Sequence, residues 1–152
     1  MDRKDIKYVV VIQCDHSRKR CSGFACSNTF FEKADAFSGY SADTKFLTMT
    51  CGGCCGVPVA GSLEHFAKKL RTKTDIKKSE VAVHLSSCMV TDNHHHDRCP
   101  HVDQIKDTIR RHGLENIIEG TYRSKTTSKL REIGKYKVYD SVEFDGPVAN
   151  AA

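Results

Sequence analysis

The sequence has no uninterrupted apolar run approaching the roughly 18 residues that a bilayer span needs. Its longest buried-looking stretch, Tyr8 to Ile12, is only strand-sized. The opening MDRKDIKYVV lacks the apolar core and small-residue cleavage site of a secretory leader. No period of about 20–50 residues recurs, which excludes a solenoid. These absences predict no membrane partner and a cytoplasmic location, where thiols stay reduced. With 152 residues, 39% hydrophobic and 28% charged, the chain has enough apolar material for one core. The net charge of +5 permits weak attraction to anions without naming a partner.

What the chain does have is eight cysteines and eight histidines. In a chain of this length expected to stay reduced, unpaired cysteines at that density point to metal binding or redox chemistry.

Hydrophobic patterning supplies the frame. Residues 7–13, KYVVVIQ, read as a strand buried on both faces. Residues 14–26 read as a polar, cysteine-bearing loop. A helix is expected from about Ser27, with Phe30, Ala34 and Phe37 inward and Thr29 with Glu32 as a capping box. Residues 45–50 read as a second strand. A helix after Pro58 carries Leu63, Phe66, Ala67 and Leu70 on its inner face. Residues 80–85 are a third strand. Pro100 opens a helix with Val102, Ile105 and Ile109 inward, stopped by Gly113, and residues 116–119 are a fourth strand. Residues 123–134 fit helix or loop. Residues 135–144 put Tyr136, Val138, Val142 and Phe144 on one side at period two, as an edge strand or hairpin would. The end, from Gly146, reads as a frayed tail.

The alternation predicts an α/β fold. It is an open, mostly parallel sheet of about four strands with helices on both faces, flavodoxin- or Rossmann-like, with an extra edge strand from the C-terminal stretch. The carboxyl ends of such strands share one edge, where ligands bind. Cys14 follows the first strand, Cys51, Cys54 and Cys55 the second, and Cys88 the third. Cys21, Cys26, Cys99 and His101 fall in loops or first helical turns above the same edge. Several of them precede helices, whose N-termini favour thiolate over thiol. Arg18, Lys19 and Arg20 are placed to offset thiolate charge.

Thr50-Cys51-Gly52-Gly53-Cys54 resembles the signature of the CGGC domain proteins. The likeness continues in Gln13-Cys14 with Cys21 and Cys26, in His84 to Cys88, in Cys99-Pro100-His101 with Ile105, and in Gly120-Thr121-Tyr122. It spans about residues 6–122, leaving 123–152 as an extension, part edge strand and part tail. The resemblance implies a metal-binding domain, with zinc the expected ion. Two positions depart from the family pattern: Cys55 stands where proline is common, and Tyr122 where histidine is common.

The residues themselves support the same chemistry. Cys51 and Cys54 can give two thiolates to one ion around a two-glycine turn, with Cys14 and Cys88 from neighbouring strand ends. Cys21, Cys26, Cys99 and His101 can form a second site or compete for the first. Zinc is the default for such donors, and an iron–sulfur cluster uses the same ones. The alternative is a thiol–disulfide redox protein or sensor using Cys51 and Cys54. Cys14 and Arg20 have the spacing of a cysteine phosphatase cradle. The loop between them has no glycine, no Ser or Thr follows the arginine, and no Asp-Pro dipeptide supplies an acid. The run His94-His95-His96 reads as a solvated loop, His16, near Cys14, fits a ligand or a solvent-facing residue equally, and His84 reads as a hydrogen-bonded residue of its strand. Lys68, Lys69, Arg71, Lys73, Lys77 and Lys78 lack interleaved aromatics and read as solvated helix faces, which makes nucleic acid an unlikely partner.

Overall fold

β-Branched runs form the centre of the molecule. The computed structural model describes residues 1–144. β1 (Tyr8–Gln13) and β3 (Val81–Leu85) are rich in valine and almost wholly buried. They pair in parallel and are flanked by β2 (Lys45–Thr50) and β4 (Asn116–Glu119). The order is β2-β1-β3-β4 and every pairing is parallel. The register sets Gln13 beside Thr50 and Ile12 beside Leu85. The expected α/β sheet is present.

Alternate residues of the central strands feed two cores. Val10, Ile12, Val83 and Leu85 meet Leu63, Phe66 and Leu70 of α3 (Val59–Lys73) and Ile105 and Ile109 of α5 (Val102–Arg111). Val9, Val11 and Ala82 meet Phe30 of α2 (Phe24–Glu32), together with Phe37 and Tyr40. Two single turns, α1 (Asp15–Arg18) and α4 (Ser87–Val90), follow β1 and β3 directly.

The first long helix differs from expectation. α2 starts at Phe24, behind Gly23 in the left-handed region, so Thr29 is a buried interior residue and not a cap. Lys33 is left-handed and ends the helix, and Phe37 reaches the core from a separate 3-10 turn, Asp35–Phe37. The C-terminal stretch differs too. Residues 125–132 form α6 (Lys125–Glu132). Beyond it, one isolated parallel bridge, Glu119 with Val142, replaces the expected edge strand or hairpin. Val142 packs on the core while Val138 is exposed, so the period-two pattern does not define a single face. The tail expected from Gly146 lies outside the described residues.

His84 is a wholly buried residue of β3. Its Nδ1–H donates to the Gly120 carbonyl (2.8 Å), and its Nε2 accepts from the Tyr40 hydroxyl (2.7 Å). Burial holds its pKa down at about 3, and the Arg3 guanidinium acts in the same direction. Unfolding releases an imidazole with a pKa of about 6.5. The unfolded chain then binds a proton that the native chain does not, so stability falls as pH drops through that window, by up to about 1.4 kcal/mol per pH unit. Urea unfolding between about pH 7 and pH 5 is expected to show this loss, and His84→Gln to remove most of the slope. An unchanged slope in the variant would assign the loss to other groups.

Candidate functional site

The parallel register delivers the cysteines to the carboxyl rim. Cys51 N–H donates to the Gln13 carbonyl (2.9 Å), so Cys51 sits level with Cys14. Ser86 N–H donates to the Ile12 carbonyl (3.0 Å), which sets Cys88 of α4 just beyond. The Thr50 hydroxyl donates to Asp15 Oδ1 (3.0 Å) and accepts from Gly52 N–H (3.1 Å), tying the CGGC turn to the loop after β1. Gly52 has φ +80°, and a Cβ there would lie 2.4 Å from Pro58 Cβ. The turn therefore requires glycine at this position.

All eight cysteines are free thiols, and they fall into two neighbourhoods. In the first, Cys99, which precedes α5, lies within electrostatic reach of Cys14, Cys51 and Cys54. Burial, together with these three neighbours, pushes the Cys99 thiol up, although the His101 N–H donates to its sulfur (3.4 Å). In the second, Cys21, Cys26 and Cys88 line a cavity of about 240 Å³ between α2, α4 and α6. Cys26 feels both Cys21 and Cys88, and Cys88 also feels Cys14, which links the two neighbourhoods. Cys54 and Cys55 are exposed. Among the described residues, no three Cys, His, Asp or Glu side chains are grouped closely enough to hold a metal ion. The donor chemistry suits a thiophilic ion, in an open arrangement.

The expectation that helix starts would lower the thiol pKa values does not hold generally. Burial pushes up Cys26, in the first turn of α2, and Cys88, in α4. Desolvation there outweighs the helix field. Cys14 is the exception. Burial pushes it up as well, but hydrogen bonds from the Ser17 backbone and hydroxyl and from His96 outweigh that, and its pKa falls.

His96, expected in a solvated loop, instead turns its ring onto the rim. Its Nε2 lies 3.2 Å from Cys14 Sγ, and its Nδ1–H donates to the Asp97 carbonyl (2.6 Å). The carbonyl accepts only, so Nδ1 keeps its proton and Nε2 faces the sulfur as the proton's second resting place. Burial lowers the His96 pKa, but the Asp97 carbonyl and Cys14 more than restore it, and the net shift is upward. The available signal was a histidine run in the loop leaving the carboxyl end of a strand, upstream of Cys99.

The other candidates occupy lesser positions. His101 caps α5, and its described contact with a thiol is through its backbone N–H. His16, Lys19 and Arg20 are exposed. The Arg20 guanidinium meets His95 Nδ1 (3.5 Å), so this arginine is not folded over Cys14 as a phosphate cradle requires. Arg18 donates to the Cys21 carbonyl (2.6 Å), and its buried Nε has no partner among the described residues. Glu119, at the end of β4, pairs with Arg98 and Lys106. Burial raises its carboxyl pKa, but these partners hold it down at about 2. The pairing anchors the loop that carries Cys99.

The model of the CGGC domain matches residues 8–122, most of the chain. The chain belongs to the CGGC domain family. No curated protein and no solved structure matches it. Among the described residues, no helix is long and apolar enough to cross a membrane. The family match takes in every cysteine of both neighbourhoods, whereas α6 and the residues after it lie beyond it.

The Cys14–His96 contact gives a direct test. Peptide-mapped alkylation with iodoacetamide across pH is expected to give Cys14 a lower midpoint than Cys88. His96→Gln should move the Cys14 midpoint up and leave Cys88 in place. If the Cys14 midpoint does not move, His96 is not what stabilises its thiolate.

Proposed function

We propose that this CGGC domain binds a thiophilic metal ion, zinc by its donor chemistry, through Cys14, Cys51, Cys54 and Cys99. The observation that carries this reading is the position of Cys99 within reach of three thiols from the ends of β1 and β2. Thiolates gathered this way repel one another, and a bound cation relieves that repulsion. Zinc bound there would accept four sulfur ligands. The glycines of the CGGC turn, both at positive φ, let the exposed Cys54 swing toward the buried Cys51. Glu119, through Arg98, holds the Cys99 loop in place. Cys21, Cys26 and Cys88 lie outside this set.

A second reading rests on the Cys14–His96 contact: thiol–disulfide exchange with Cys14 as the attacking sulfur. The Cys14 proton passes to His96 Nε2, and the sulfur attacks a substrate disulfide and expels one thiolate. The Cys51 thiolate then displaces the second. The substrate gains two electrons and the rim gains one disulfide.

Elemental analysis of tag-free protein, prepared without oxygen and titrated with zinc, tests the first reading. Roughly one ion per chain is expected. The matched pair Cys54→Ser and Cys55→Ser separates ligation from folding, since both side chains are exposed. The first variant should lose most of the metal and the second should keep it. Protein that takes up no zinc, or equal loss in both variants, overturns the assignment. A Cys14–Cys51 disulfide formed by metal-free protein on one turnover with a small disulfide would favour the second reading.

A further inference from the structure

We propose that the cavity lined by Cys26 and Cys88 is a binding site for a small apolar carboxylate, whose anion is held by Arg131.

Position is the first ground. The chain leaves β1 toward β2 on one side and leaves β3 toward β4 on the other, so the strand order reverses between β1 and β3. Open α/β sheets take their ligands at that crevice. The cavity lies there, walled by the first turn of α2, by α4 and by α6. Its volume of about 240 Å³ exceeds the ~150 Å³ apolar cavity that admits benzene.

Charge is the second ground. Among the described residues, none that lines the cavity carries a carboxylate. Arg131 of α6 is half-buried on the wall; the Asp92 carboxylate acts on its charge, but among the described residues no carboxylate lies within salt-bridge distance of it. Its guanidinium donates to the Asp92 carbonyl (3.0 Å), while the Asp92 carboxylate accepts from Lys137 N–H. The remaining guanidinium donors suit a carboxylate, which arginine grips with two parallel hydrogen bonds. The Thr121 hydroxyl and Ser87 add polar atoms on the floor.

The walls supply the third ground. Ala25 and Phe144 present apolar surface, and the Phe144 ring lies 5.5 Å from the Arg131 guanidinium carbon. A ring bound here would stack beside Phe144 with its carboxylate on Arg131. Arg131 and Phe144 both lie past residue 122, so this ligand would belong to this chain's extension rather than to the family-matched region.

The probe is 1-naphthoate, compared with the uncharged 1-naphthalenemethanol and the cationic 1-naphthylmethylamine, on reduced, metal-free protein. Saturable one-site calorimetric binding of the carboxylate is expected, weakened about tenfold in the alcohol and more in the amine. Bound naphthoate should slow alkylation of Cys26 and Cys88 and leave the exposed Cys54 and Cys55 unprotected. Arg131→Gln should cost about tenfold for naphthoate and little for the alcohol. Ala25→Phe should abolish binding by filling the cavity, which keeps the test decisive if the arginine variant does not fold. No saturable binding, equal affinity for acid and alcohol, or protection that spares Cys26 and Cys88 would overturn the proposal.

Discussion

Because β1 pairs in parallel with both β2 and β3, two backbone hydrogen bonds level three chain segments at one rim. They run from Cys51 N–H to the Gln13 carbonyl and from Ser86 N–H to the Ile12 carbonyl. Side chains alternate along a strand, so a slip of one residue would exchange the two cores. Val10 and Ile12 would leave α3 and α5, and Val9 and Val11 would leave Phe30 and Phe37. Burial on both faces therefore fixes the register. The register in turn fixes which sulfur atoms meet, and thiols far apart in sequence become neighbours without any local motif joining them.

That rim carries two kinds of sulfur chemistry. Cys14 sits among donors: the Ser17 N–H, the Ser17 hydroxyl and the His96 ring all reach its sulfur, and they outweigh its burial. Cys26 has the Thr121 hydroxyl and Gln13 as partners, and Cys88 has the Ser86 hydroxyl, the Cys14 backbone N–H and the Ser17 hydroxyl, yet at both of these more deeply buried thiols burial wins. The contrast follows from the two loops. The loop after β1 folds into one helical turn that points N–H groups back at Cys14, whereas α2 and α4 press their cysteines against cavity walls. A helix start alone does not determine the ionisation of a thiol; the balance between the hydrogen bonds to its sulfur and the water removed from it does.

Strands were legible because their signal is local. The run KYVVVIQ gives β1 to within one residue, and the parallel sheet follows from alternation with helices. Core faces were legible for the same reason, as with Leu63, Phe66 and Leu70. The failures lie where geometry is made by distant partners. Phe37 fits a helical period with Phe30, yet the chain breaks between them, and both rings still reach Phe46. The alternating residues near the C-terminus mimic a strand, but only Val142 bridges the sheet. His96 lies 82 positions from Cys14, and only the loop's return across the rim brings its ring to the sulfur. No spacing rule covers such a contact.

The segment from Gly120 to Phe144 completes the rim. Gly120, at φ +130°, leaves no room for a Cβ, which would lie 2.0 Å from the Glu143 carbonyl oxygen. This close approach lets Glu143 N–H donate to Glu119 and brings its carboxylate to Arg3 at the opposite end of the sequence. Glu119 simultaneously pairs with Arg98, so one buried carboxylate couples the Cys99 loop to the C-terminal segment. The same segment carries Phe144, on the wall of the cavity that holds Cys26 and Cys88. Loosening Glu119 would therefore disturb both thiol neighbourhoods together, one through Arg98 and the other through the segment that carries Phe144. Described residues beyond the family-matched region, Arg131, Ser141 and Phe144 among them, are structural partners of the cysteine rim.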